Sequence, residues 1–344
     1  GMNRLSCNES MSQISLLNRI VQGVALTRGE SESLFSELLE SGTDAQKAAF
    51  LTAYAAKGVT PEELAGFVVQ MRRHGITVKS PVSNHIDTCG TGGGISSFNI
   101  STAAALIAAA AGAVVAKHGN RAVTGRCGSA DVLESIGVPL CETPEIAAER
   151  LEKLGFAFLF APKFHPAAAK FGPIRKELPF RTVFNLLGPL LNPANAKRQI
   201  IGVWEPALLD LLATALVQLE SEFAIVVHGE PGMDEISPIS ITRVRVVKDG
   251  DYRIEEWSPA TFGAEPVTLG AVLAGQTPAE NGEMLIESVT VADSDRCRAV
   301  LPSAAVAVRL SGLADSWKGA YELAHETVKS GKGAEKLAQL RSGD

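Results

Sequence analysis

The sequence predicts an α/β protein, with a small N-terminal helical domain plus a larger α/β domain built on a mainly parallel central sheet. Three observations predict it. Residues 15–75 carry helix-period apolar stripes and no strand-like run. From Asn84 onward, short apolar runs alternate with helical stretches, as in a parallel sheet with crossover helices. A glycine cluster (Gly90, Gly92, Gly93, Gly94) follows the first of those runs, and the next run delivers polar residues at its C-terminal end, where ligands of open α/β sheets bind.

Residues 1–12 are polar and expected to fray, and Gly1 ahead of Met2 reads as an expression remnant. Leu16, Leu17, Ile20 and Val21 form one apolar stripe and Leu34, Leu38 and Leu39 a second. Helices over 45–56 and 61–74 complete a set of four, with Pro61 suited to the first helical position. Their apolar excess packs internally or against a second copy. Strands are expected at 85–89, 113–116, 157–160, 199–204 and 223–227. Between the first two, an alanine-rich helix opens on Asn99, Ser101 and Thr102, where a serine or threonine caps free amides, and runs to about Ala111. The proline-punctuated stretch 162–193 is predicted to be helical and to return to the first domain. The expected division is therefore a helical domain of 1–80 joined by about 162–193, and an α/β domain of 81–161 and 194–344. A hairpin pairs 243–247 with 252–256, and closing helices cover 303–311, 316–330 and 334–340.

At 344 residues the chain is long enough for a substantial core. Hydrophobic content of 46% with 20% charged residues marks an ordinary globular protein. A net charge of −6 argues against non-specific nucleic-acid binding. The apolar run 103–111 is too short to span a membrane, and the N-terminus has no secretory apolar region. Five scattered cysteines without a CxxC fit reduced thiols in a cytoplasm, with neither zinc nor disulfide framework. Cys89 and Cys127 flank the two loops around the alanine-rich helix, but neither is assigned a catalytic role.

Without a Cβ, the clustered glycines let backbone N–H groups approach an anion, and the following helix adds its positive end. Ile95 stands where a dinucleotide fingerprint needs its third glycine, and no Gly-Lys-Ser/Thr follows, so neither common nucleotide loop is present. Lys117, His118, Asn120 and Arg121 follow the second strand; Lys117 reads as a point charge on phosphate or as a solvated surface lysine. Asp234 and Glu235 are adjacent hard oxygen donors suited to Mg²⁺, though such a pair alone is more often a solvated acidic loop. Either Arg175 or Arg181 can grip a carboxylate bidentately. Six histidines form no Ser/His/Asp set.

The motifs GTGG (90–93), FNIST (98–102), KHGNR (117–121), GSADVLE (128–134), FLFAPKFHPA (158–167), GPIRKEL (172–178), RTVFNLLGPLLNPA (181–194) and VVHGEPGMDEIS (226–237) occur in one order. Together they resemble the anthranilate phosphoribosyltransferase family over roughly residues 15–340. The resemblance implies a homodimer through the helical domain, and a phosphoribosyl pyrophosphate (PRPP) site in the α/β domain with two Mg²⁺ per subunit. PRPP would be held by Gly90, Gly93, Gly94, Asn99, Ser101, Thr102, Lys117, Thr124, Gly125 and Ser129, and the metal by Ser101, Asp234 and Glu235. Anthranilate would meet Gly90, His118, Asn120, Ala161, Pro162, His165, Arg175 and Gly188. The implied reaction joins the anthranilate amine to the phosphoribosyl group, with no covalent intermediate and no side-chain general acid or base. The family usually places an aspartate after GTGG and one more residue before FNIST; here Gly94-Ile95-Ser96-Ser97 leads directly into Phe98. Two rivals share the fold: a pyrimidine nucleoside phosphorylase, which would need a base-recognising lysine and serine in place of KHGNR, and a non-catalytic nucleic-acid-binding homologue, which would need a basic face.

Overall fold

The computed structural model of the protein describes residues 11–122 and 127–343. After one 3-10 turn the chain forms α1 (Leu17–Val21), α2 (Arg28–Ser41), α3 (Asp44–Lys57) and α4 (Pro61–Arg73). The last three each begin on a threonine, Thr27, Thr43 or Thr60, whose hydroxyl accepts from the third helical amide. Glu30, Gln46 and Glu63 reach back to the threonine N–H. Each such reciprocal cap contributes about 1 kcal/mol by satisfying amides the helix cannot. Pro61 occupies the first helical turn as its fixed φ predicts.

The second part alternates: β1 (Ile86–Gly90), α5 (Ile100–Ala110), β2 (Val115–Gly119), α6 (Ser129–Ser135), α7 (Pro144–Leu154) and β3 (Phe156–Phe160). The returning segment holds α8 (Ala161–Phe164), α9 (Gly172–Glu177) and α10 (Phe184–Leu187). The sheet then resumes with β4 (Arg198–Gly202), α11 (Leu209–Gln218), β5 (Phe223–Gly229), β6 (Thr242–Lys248) and β7 (Asp251–Trp257). Helices α12 (Pro278–Thr290), α13 (Asp295–Leu310), α14 (Trp317–Lys329) and α15 (Lys332–Ser342) close the fold. Among the described residues no helix is long and apolar enough to cross a membrane.

The seven strands run in the order β3-β2-β1-β4-β5-β6-β7, with β1 to β5 parallel and the β6–β7 hairpin antiparallel. The hairpin turns on Asp249 and Gly250, both at positive φ, the backbone a two-residue turn needs. Strand order reverses between β1 and β4, whose ends Gly90 and Gly202 lie in register. A switch point of this kind opens a crevice beyond the carboxyl ends of the strands.

Two large cores flank the sheet, and a smaller third cluster lies against β2 and β3 with Ala116, Ala157 and Leu159. Along β5, Ile225 and Val227 join the cluster under α5 and α13, while Ala224 and Val226 join the one under α4 and α11. This is strand alternation with both faces buried. The second cluster also holds Phe35, Phe50 and Phe67 with Phe171 and Phe184 of the returning segment, the last two rings 4.8 Å apart. Thus Phe171 and Phe184 of the returning segment pack on the N-terminal helices, while Phe164 packs among Ala116, Leu151 and Leu159 beside the sheet.

Several expectations shift. β2 begins and ends later than 113–116, so Lys117 and His118 lie inside the strand rather than beyond it. The start of α5 is not capped by a serine or threonine hydroxyl: Asn99 takes the cap position in a left-handed conformation, φ 33, without a side-chain cap bond. Helices α13 and α15 are longer than predicted, and α14 is slightly shorter. Pro302, just ahead of the expected helix start at 303, lies inside α13, where burial on nearly every side outweighs the lost amide. α12 has no counterpart in the expected elements, because it buries Asn281, Gly282 and Ser288 beside only a few apolar residues.

Candidate active site

The switch-point crevice is built from the glycine loop after β1 and the turn after β5. Thr91 N–H donates to the Gly202 carbonyl at 2.8 Å, Gly92 N–H to Asp234 Oδ2 at 2.9 Å, and Ile95 N–H to the Gly232 carbonyl at 2.9 Å. A Cβ on Gly90 would collide with the Asp234 carboxylate and one on Gly202 with the Asp234 backbone carbonyl, so Asp234 sits where only glycine leaves room. The amides of Gly93 and Gly94 donate to no protein group among the described residues, leaving two adjacent donors for an anion. Gly94 itself packs against the 232–234 turn.

Lys117 is not a solvated surface lysine. It is buried in β2, and its ammonium donates to the Thr88 carbonyl and lies 3.5 Å from Ser101 Oγ. Burial lowers its pKa and Asp87 raises it. Asp87, fully buried on β1, accepts from His118 N–H at 3.3 Å and from Asn192 Nδ2 at 2.9 Å. Sequence patterning had passed over Asp87 and Asn192; the available signal was a carboxylate in an otherwise apolar strand.

Asp234 and Glu235 line a small cavity with Thr88, Cys89 and Ser101. Burial raises both carboxyl pKa values, and the neighbouring Asp234 charge helps push Glu235 up to about 8. The Ser97 hydroxyl donates to Glu235 Oε1, while Oε2 is buried without a partner. Two adjacent half-buried carboxylates with an unpaired oxygen and a nearby hydroxyl fit a hard divalent cation that takes further oxygens from water or phosphate. Ser97, the second serine before FNIST, was not among the predicted metal-site residues.

A pH test follows from the raised Glu235 pKa. The folded state holds this proton more tightly than the unfolded chain, so the group's contribution falls as pH rises from 4.5 to about 8. Chelated Glu235→Gln is therefore expected to melt above wild type at pH 8 and level with it near pH 4, measured by calorimetry in EDTA.

A larger cavity, about 1090 Å³, opens beside this one between the sheet and the returning segment. Gly90, His118, Asn120, Ala161, Pro162, His165, Arg175 and Gly188, the residues the family resemblance assigns to anthranilate, line it. His118 Nδ1 lies 3.2 Å from the Gly188 carbonyl and His165 Nε2 2.8 Å from that of Leu191. A carbonyl only accepts, so those nitrogens carry the hydrogens, and the buried, unpartnered His118 Nε2 and His165 Nδ1 are acceptors. Burial first, then His165, pulls the His118 pKa down to about 3. Arg175 lies over Phe184 at 5.0 Å, desolvated, with no carboxylate partner among the described residues.

The remaining predicted residues divide. Asn99 Nδ2 donates to the Cys127 carbonyl at 3.3 Å, and its buried Oδ1, like Thr102 Oγ1, lacks a partner. Ser129 starts α6 with its hydroxyl against Gly119 at the end of β2. Arg121 is turned to Glu134 and Asp131 instead of the crevice. Thr124 and Gly125 lie outside the described residues. Burial pushes the Cys89 thiol pKa well above its ordinary value.

Comparison with known proteins matches this architecture in both parts. Residues 14–75 match the helical bundle domain of a glycosyl transferase family, and residues 82–334 its a/b domain. Anthranilate phosphoribosyltransferase of Desulfosudis oleivorans is 44% identical over 328 residues, covering 94% of this chain and 96% of that protein. The Bacillus subtilis enzyme is 42% identical over 330 residues, covering 94% and 96%. The solved Thermus thermophilus anthranilate phosphoribosyltransferase superposes with a TM-score of 0.88 at 36% identity, covering 96% of this chain and 99% of that one. The Saccharomyces cerevisiae enzyme in complex with PRPP and Mg gives 0.84 at 28% identity, covering 97% and 98%. With relatives this similar along almost its whole length, the chain belongs to the anthranilate phosphoribosyltransferase family.

Proposed function

We propose that the protein transfers the phosphoribosyl group of PRPP to the amine of anthranilate, giving N-(5-phosphoribosyl)anthranilate and pyrophosphate, in tryptophan biosynthesis. The observation that carries this is the meeting of two unlike spaces. Cys89 lines both the small cavity of Asp234 and Glu235 and the large one that contains Arg175. An anionic donor on one side and an aromatic acid on the other would thus face each other across the end of β1.

On the donor side, Gly93 and Gly94 amides, Asn99, Ser101, Thr102 and Lys117 hold phosphate and ribose oxygens. Ser129, Thr124 and Gly125 of the second loop belong to the same set by family likeness. Mg²⁺ held by Asp234, Glu235 and Ser101, two ions per subunit, would neutralise charge on the departing pyrophosphate. On the acceptor side, Arg175 grips the anthranilate carboxylate. His118 Nε2 accepts an amine hydrogen, which aims the nitrogen lone pair away from the ring. With a pKa of about 3, His118 orients the amine without taking its proton. The amine attacks the anomeric carbon as the C–O bond to pyrophosphate breaks, and the proton it sheds passes to water or pyrophosphate. Positioning of this kind contributes up to about 7–11 kcal/mol in favourable cases. A homodimer is part of the proposal; Val21 and Val24 on the N-terminal helical part are 68% and 48% exposed, leaving apolar surface for a second copy.

Loss of anthranilate fluorescence that requires both PRPP and Mg²⁺ is the expected result. Release of free base from thymidine and phosphate instead would replace this reading with the phosphorylase. Salt-sensitive DNA binding without turnover would replace it with the nucleic-acid-binding homologue.

A further inference from the structure

Arg181 was a candidate for the acceptor carboxylate, but the structure turns it to another task. Its Nη2 donates to the Gly93 carbonyl at 3.1 Å, and its guanidinium lies 4.6 Å from the Trp204 ring centre. Gly93 has φ +90, and a Cβ there would collide with this guanidinium. The glycine loop is thus tied at Thr91, Gly92 and Ile95 to the sheet and the 232–234 turn, and at Gly93 to the returning segment.

The carbonyl of Gly93 and the N–H of Gly94 belong to one planar trans peptide, so they point in opposite directions. Holding the carbonyl on Arg181 fixes where the free Gly94 N–H points. We infer that Arg181, braced on Trp204, is a positioning residue that sets the glycine loop in its pyrophosphate-receiving conformation. This rests on the transfer reaction proposed above. Arg175, the acceptor anchor, lies six residues earlier on the same returning segment. One short stretch of chain therefore carries the grip on the acceptor and the set of the donor loop, and displacement of that stretch acts on both substrates.

Arg181→Ala tests it. The KM for PRPP is expected to rise about 10- to 100-fold, the cost of a lost hydrogen bond to a charged group, while the anthranilate KM changes little. Added guanidinium ion should restore part of the PRPP affinity, and Arg181→Lys, which keeps the charge but not the planar fork, should not. Trp204→Leu should shift the PRPP KM in the same direction by less. Amide exchange in peptides spanning 90–95 should quicken in Arg181→Ala without any substrate. A rise in the anthranilate KM with that of PRPP unmoved would make Arg181 an acceptor contact and overturn the inference, as would unchanged exchange in the loop. If wild type itself turns over no anthranilate, the proposed reaction fails, and the exchange measurement alone still decides whether Arg181 sets the loop.

Discussion

Asp234→Asn combined with Glu235→Gln is expected to lower Mg²⁺-dependent turnover by at least about 10³-fold while leaving the fold intact. The two carboxyls lie side by side and half-buried, desolvation raises the pKa of each, and Glu235 Oε2 lacks a protein partner among the described residues. Such a pair is unfavourable in the metal-free fold, so its removal costs chemistry and not stability. Initial rates across a Mg²⁺ titration, with circular dichroism as a control for folding, check it. Activity surviving in the double variant would place the metal elsewhere.

Arg175→Ala is expected to raise the anthranilate KM on the order of 100-fold, since a bound carboxylate would lose its buried partner. The PRPP KM should barely move, because the large cavity, not the small one, is lined by Arg175. Benzoate analogues discriminate further. An acceptor lacking the carboxylate should bind wild type and variant equally, and a difference between them would remove Arg175 from that role. Steady-state kinetics with each substrate varied in turn give the measurement.

Much of this site could be read from the chain because its chemistry lies in contiguous motifs. The glycine loop offers an anion site by residue type, whereas the carboxylate pair and the choice of Arg175 over Arg181 rest on the family resemblance. The acceptor set was placed by family likeness, and the cavity contains all of it. What stayed hidden depends on residues distant in sequence. Lys117 stayed open between a phosphate contact and a surface charge because what surrounds it is distant in sequence: the Thr88 carbonyl and Asp87 of β1, with Asn192 in turn donating to Asp87 and the Ala116 carbonyl. The end of β2 was misjudged for the same reason: apolar patterning stops at a lysine unless something buried receives it. Residues 99–102 looked like a hydroxyl-capped helix start, whereas Asn99 takes a left-handed turn there and Thr102 Oγ1 is left without a partner. A helix start built for a ligand leaves local hydrogen bonds unmade, and propensity rules cannot anticipate that.

The shared wall at Cys89 has a consequence for ligand design. A molecule joining a benzoate to a phosphonate by a short tether would seat its acid beside Arg175 and its anion beside the glycine loop, with the tether crossing over that thiol. Only one immobilisation in solution would be lost for two sets of contacts, so its affinity should exceed that of either half by far more than their separate strengths suggest.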